Sequence, residues 1–193
     1  MTLLLISLFL VLAVFMRVGI QWVRTKDLGL RAASLDAPLI KILPGTIFIL
    51  SFYVALAVAL FGFYGKLAPV MELPLILQWL SFALGLSGIL ITVISQYQMG
   101  DSWRIGVDQQ ETTELKTQGL YARSRNPIYF GLLLFWVGIC GTFVHALLMM
   151  AAIICWICIE LIVRKIEEPY LHKTHGEMFV EYVRSTNRYL SIL

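Results

Sequence analysis

The sequence predicts an all-α, polytopic integral membrane protein: five transmembrane helices followed by an amphipathic C-terminal helix. Three observations predict it. Hydrophobic residues make up 59% of the 193 and charged residues only 14%, with a mean hydropathy of +0.81; a soluble domain carries about 25% charged residues. The apolar residues gather into five runs of membrane length. The Lys and Arg residues between those runs alternate in number along the chain. One domain is expected at this length. The net charge of +3 is small, and no basic cluster with interleaved aromatics points to nucleic acid.

Met1 to about Trp22 reads as the first span, long enough for a hydrocarbon core of about 30 Å. Its opening, M-T-L-L-L-I-S-L-F-L, has no basic n-region and no small-residue cleavage site, so it reads as a retained span. Arg17 lies in its last turns with Gln21 one turn on; both are expected to snorkel or to face other helices. A polar segment with Arg24, Lys26, Arg31 and Lys41 follows. Leu43 to about Tyr64 is the second span, opened by Pro44 in its first turn. Ala55 and Ala59 form a small-xxx-small pair suited to seating a neighbouring helix. The loop from Gly65 to Pro74 holds Lys66 alone.

Leu75 to about Met99 is the third span, where Gly85 and Gly88 permit close packing and the end turns polar at S-Q-Y-Q. The largest non-apolar segment, Gly100 to Asn126, carries Arg104, Lys116, Arg123 and Arg125. Pro127 to about Val144 is a somewhat short fourth span, and His145 sits in the tight turn that follows. Ala146 to about Glu168 is the fifth. Pro169 is expected to break or kink the helix just beyond it. The rest, to Tyr189, reads as an amphipathic helix at the interface or in the cytosol.

Counted loop by loop, Lys and Arg number four, one, four, none, then five from Arg164 onward. The positive-inside rule reads that alternation as five spans with a cytosolic C-terminus. The long loop after the third span and the C-terminal segment then meet on one side, so a site built from both faces the cytosol and opens sideways to lipid. Cys140, Cys155 and Cys158 all lie within apolar runs, so C-W-I-C at 155–158 reads as small buried helix residues and not as a redox pair.

Two stretches carry chemistry. The first is E-L-I-V-R-K-I-E-E-P-Y, Glu160 to Tyr170. Helical spacing puts Glu160, Arg164, Glu167 and Glu168 on one stripe at the end of an apolar run. A charge at the bilayer centre costs about 2.5–3.5 kcal/mol, less near the interface, so a stripe of both signs there marks a site. Snorkelling at the membrane edge would explain Arg164 and Lys165 but not an adjacent acidic pair. A metal set from Glu168, His172 and His175 lacks an evident third strong ligand and an open position, so no metal is expected. The second stretch is L-K-T-Q-G-L-Y-A-R-S-R-N-P-I-Y-F-G, Leu115 to Gly131. R-N-P-I-Y gives an extended residue, then a helix with proline in its first turn and Asn126 as a cap. Such a helix start favours a carboxylate or phosphate, and Arg125 adds charge. An ordinary cap beside an interfacial Arg and Tyr fits the spacing equally well.

Together these pieces, Gly119-Leu-Tyr121, Arg125-Asn-Pro-Ile-Tyr129-Phe-Gly131, Arg164-Lys-Ile-Glu167-Glu168 and Gly176-Glu177 to Tyr182, resemble the isoprenylcysteine carboxyl methyltransferases and their prokaryotic relatives. The likeness covers roughly the last half of the chain, from Ser102 to Leu190, and W-R-I-G at 103–106 also looks like prokaryotic members. Phospholipid N-methyltransferases share a looser form of it. The resemblance implies S-adenosylmethionine as methyl donor and S-adenosylhomocysteine as product, bound without a Rossmann fold, and the chain has no βαβ alternation or G-x-G-x-x-G. Leu115, Tyr121, Asn126, Pro127 and Tyr129 would line the cofactor, with Gly106, Val107 and Lys116 beside them. Arg125 would suit the methionine carboxylate, and a tyrosine would stack on adenine or face the sulfonium. Glu167 and Glu168 would sit near the sulfonium or the acceptor, and Arg164 would hold the acceptor's carboxylate. The eukaryotic enzymes have His where this chain has Asn126, which leaves the reaction class intact and loosens the substrate assignment.

The resemblance makes carboxyl methylation of an isoprenylated cysteine, or a similar lipidic carboxylate arriving from the bilayer, the first expectation. A carboxylate is already ionised at neutral pH and needs only positioning and desolvation. An ethanolamine lipid would need a base, which Glu167 or Glu168 can supply; a small thiol is the third acceptor. In domain terms, residues 1–99 form a three-span membrane part and 100–193 the catalytic part of one domain. The sequence leaves the oligomeric state open.

Overall fold

A computed structural model describes residues 1–29, 39–104 and 114–190. Among the described residues the regular structure is helical, apart from one isolated bridge between Met71 and Val144. Four helices are long and apolar enough to cross a membrane. They are α1 (Thr2–Thr25), α2 (Leu39–Phe63, apolar from Ile42), α3 (Leu75–Met99, with a tight turn to Ser102) and α5 (Ala146–His175). The helix between α3 and α5, α4 (Pro127–Thr142), has 16 residues and is about 24 Å long at 1.5 Å per residue. That falls short of a 30 Å core, so among the described residues four helices have membrane length and α4 is a shorter apolar helix packed along α3. Helix α6 (Glu177–Ser185) follows.

The helices pair as α3 with α4 and α2 with α5, and α1 packs against α2, α3 and α4. Glycine makes the first pairing possible. A methyl group added at Gly88 would strike Gly131 O and the Phe135 backbone, and one at Gly138 would strike the Gly85 backbone. The two helices are therefore in backbone contact along this seam, as Gly85 and Gly88 led one to expect. Ala55 and Ala59 are buried on α2, which packs on α5. At the centre, Phe9 stacks on Phe135 (4.6 Å between ring centroids) and Phe52 (5.3 Å), and Trp136 meets Phe52 edge-on. All three cysteines are free.

Three local expectations change. Helix α2 begins at Leu39, so Pro44 lies inside it and not in its first turn; it removes one backbone bond there, and the helix extends upstream of it. Asn126 occupies the cap position of α4, but its side chain caps nothing and is turned to Arg188 O instead. Pro169 does not end α5. The helix widens to a π-helical stretch over Val163–Glu167 and resumes as an α-helix through His175. The wider turn accommodates the proline's missing N–H and its ring. The break comes at Gly176, whose φ of +53° suits glycine.

Of the two expectations for Arg17 and Gln21, the second holds: they do not snorkel but face inward, toward the end of α3. Arg17 is buried over the Trp103 ring, 4.6 Å from its centroid. Its Nη2 donates to Gly100 O (2.6 Å) and Gln21 Oε1 (3.0 Å), while Gln21 Nε2 donates to Asp101 O (3.2 Å). Arg24 pairs with Asp101 at 3.0 Å. Helix α1 thereby fixes the segment that leaves α3.

Candidate active site

The three acidic residues near the end of α5 are each held by a partner from elsewhere in the chain. Tyr129 Oη, in the first turn of α4, donates to Glu167 Oε1 at 2.6 Å. Glu168 lies between two guanidinium groups. Arg125 Nη2 donates to its Oε1 at 3.0 Å; Arg188 donates from Nε to Oε1 at 2.9 Å and from Nη2 to Oε2 at 2.8 Å. Glu160 accepts from Arg164 and from Tyr189 Oη. The π-helical stretch begins three residues after Glu160 and ends on Glu167, and it gives these acids a spacing a regular helix would not. The single predicted stripe is thus split into three pairings.

The turn before α4 is built to meet this group. Asn126 and Arg125 offer their backbone N–H groups to Arg188 O (3.0 Å) and Asn187 O (2.9 Å). Asn126 Nδ2 (3.2 Å) and Ser124 Oγ (3.3 Å) also donate to Arg188 O. Arg125 Nη1 donates to Thr186 O. Its Nε is buried with no partner. Tyr182 Oη donates to Tyr121 O at 2.6 Å, and Leu120 N donates to Gln98 Oε1 at 2.9 Å. The ends of α3 and α5, the start of α4 and the chain after α6 therefore converge at one end of the bundle.

The hydroxyls of Tyr121, Tyr182 and Tyr189 are neutral over the ordinary pH range. Burial pushes the Tyr182 hydroxyl up to about 12, with Arg125 pulling the other way. Burial, then the neighbouring Tyr182 and Glu167, hold Tyr121 well above the usual phenol value. Burial and the bond to Glu160 raise Tyr189. The bond to Glu168 raises Arg188 above its already high value.

Of the site residues expected from sequence, Tyr121, Arg125, Asn126, Pro127, Tyr129, Glu167 and Glu168 lie together here. Arg164 does not join Glu167; it points outward, its side chain 55% exposed, and pairs with Glu160. Lys116 pairs with Glu114 at 2.5 Å, beside the half-buried Leu115. Gly106 and Val107 lie outside the described residues. Sequence reasoning missed Arg188, Tyr189 and Ser124. Arg188 and Tyr189 sit in a short polar tail with no helical or motif spacing, and only the docking of Asn187 and Arg188 on the turn before α4 reveals them. Among the described residues no three His, Cys, Asp or Glu side chains gather as a metal-ligand set.

The donor set has two features that fit the amino-acid end of S-adenosylmethionine. Arg125 Nε is an orphaned buried donor beside the start of α4, suited to a carboxylate. Glu168 accepts three bonds of the roughly four its carboxylate can take, which leaves one position on Oε2 for an ammonium donor.

The family model for phospholipid methyltransferase matches residues 76–178, just over half the chain, from the start of α3 into α6. No curated protein matches it.

Proposed function

This chain belongs to the phospholipid methyltransferase family of integral membrane methyltransferases, and on that premise we propose that it transfers a methyl group from S-adenosylmethionine to the amine of a phospholipid headgroup. The whole chain acts as one domain, with residues 1–99 as support and 100–193 as the catalytic part. The site faces the cytosol, where the Lys and Arg distribution puts the C-terminus, and the acceptor arrives sideways from the bilayer.

The observation that carries the acceptor choice is the state of the charges. Arg125 and Arg188 are engaged by Glu168, and Arg164 by Glu160. Glu167 meets Tyr129, and among the described residues no cation pairs with it. A partly buried carboxylate without a counter-ion favours a cationic ligand. When bound, the donor supplies an electrophilic methyl on a sulfonium. An amine acceptor arrives as an ammonium and must lose a proton before its nitrogen lone pair can attack. Glu167 would take that proton, which frees the nitrogen lone pair for the methyl that the donor would supply. Tyr129 holds Glu167 in place, and Arg125 and Glu168 hold the donor's amino-acid end.

A carboxylate acceptor on an isoprenylated cysteine is the second reading. Arg164 favours it: its half-exposed guanidinium is positioned to exchange Glu160 for an incoming carboxylate. The test is methyl transfer from labelled S-adenosylmethionine in lipid nanodiscs, offered phosphatidylethanolamine or farnesylated N-acetylcysteine, with the product then treated with base. A base-stable methylated lipid supports the amine reading. Release of volatile methanol supports the ester and rejects the amine. No transfer to either, together with no donor binding, rejects the reaction.

A further inference from the structure

We propose that Arg188 is a positioning residue for Glu168, and that residues 186–189 form a wall of the donor site and not a trailing end. This rests on the reading of the site as one for S-adenosylmethionine. Arg188 lies beyond the residues matched by the family model, and nothing in that match assigns it a role.

The geometry is specific. The Arg188 guanidinium meets Glu168 as a fork, two bonds of 2.9 and 2.8 Å to the two carboxylate oxygens. A fork fixes the plane of a carboxylate as well as its position, which a single bond does not. With Arg125 also on Oε1, the one acceptor position left is on Oε2. Arg188 therefore sets which lone pair of Glu168 a ligand meets. Arg188 is itself fixed, because its carbonyl accepts from Asn126 N, Asn126 Nδ2 and Ser124 Oγ. Those bonds belong to the turn before α4, whose Arg125 carries the orphaned Nε. One residue thus couples the two groups proposed for the two ends of the donor's amino acid: its backbone holds the turn that bears Arg125, and its side chain holds Glu168. Glutamate alone, with Arg125 as sole partner, would be free to turn about that contact.

The experiment is calorimetric titration of S-adenosylhomocysteine into the full chain in nanodiscs. The proteins are wild type, Arg188→Gln, Arg188→Lys, Arg184→Gln and Glu168→Gln, and the double variant of Arg188→Gln with Glu168→Gln. The unfolding temperature of each is measured without ligand. Arg184 is exposed on α6 and controls for loss of one positive charge. Arg188→Gln is expected to weaken binding on the order of tenfold or more, the scale of one charge-assisted contact. Arg188→Lys should fall between, keeping the charge and losing the fork, and Arg184→Gln should match wild type. In the Glu168→Gln background the Arg188 change should add little, because its partner is gone. A structural tail would lose stability in both backgrounds and leave binding by the folded fraction unchanged. Wild-type affinity in Arg188→Gln, or an equal loss with and without Glu168, overturns the inference alone. A wild-type protein that binds no S-adenosylhomocysteine overturns the reading of the site, and the inference with it.

Discussion

Tyr129 Oη donates to Glu167 Oε1 at 2.6 Å, joining the first turn of α4 to the π-helical stretch of α5. The bond keeps one carboxylate oriented without neutralising it, which separates Glu167 from its neighbour Glu168, already held by two arginines. Adjacent acids in sequence thus carry different tasks.

Replacing Glu167 with Gln should lower transfer to an amine acceptor by about 10²–10⁴, the usual worth of a general base. Donor affinity should change little. The check is turnover with labelled donor beside calorimetry on the same preparation; undiminished turnover removes Glu167 from proton transfer.

Glu168→Gln should lower transfer sharply by weakening donor binding, which stays measurable, with the protein still folded. The amide keeps the shape but faces Arg125 and Arg188 without charge, leaving two cations uncompensated. Near-wild-type affinity for S-adenosylhomocysteine would take Glu168 out of the site.

Tyr129→Ala should weaken donor binding and Tyr129→Phe should do so less. Phe keeps the ring and loses only the bond to Glu167, at a cost of about 1–3 kcal/mol for the acceptor left unpaired. Equal affinities for all three proteins would deny the ring a role.

Gly88→Val should disrupt the fold. The added atoms would meet Gly131 O and the Phe135 backbone, which cannot rotate away as a side chain can. The expected loss is about 3 kcal/mol or more, read as a lowered unfolding temperature in detergent. Gly45, with open space around it, should accept Ala with little change.

Alkali should loosen the active-site end. The Tyr182 value is raised from an unfolded 10 to about 12 in the folded chain, so the neutral phenol is favoured by folding. That stability is complete below pH 10 and is lost as pH rises toward 12. Unfolding temperatures measured from pH 8 to 12 should fall over that window, and Tyr182→Phe should fall less steeply.

The membrane class and the helix-pairing glycines were legible because they follow from composition and from small residues at helical spacing. The acidic pair was legible because charge at a span's end is costly. Arg164 was misdirected by the same logic: spacing puts it on the stripe of Glu167, but the π-helical stretch that holds both leaves it pointing outward to Glu160. No periodicity announces such a stretch. Arg188 was hidden for a different reason. Its partner lies twenty residues away, across the break at Gly176, and a contact made by a tail doubling back leaves no pattern in the residues around it.

The π-helical stretch also sets a limit on how α5 can vary in length. A widened turn behaves as one residue inserted into an otherwise regular helix. Deleting a single residue from the widened turn would let the ladder close as an α-helix with little rotation beyond it, whereas deleting one where the helix is already regular swings everything beyond it by about 100°. In the second case the acidic pair would turn away from Tyr129 and Arg125 while the apolar half of α5 stayed seated on α2. A shortened chain of that kind would insert, fold and look intact, and it would have its reading frame of contacts shifted by one.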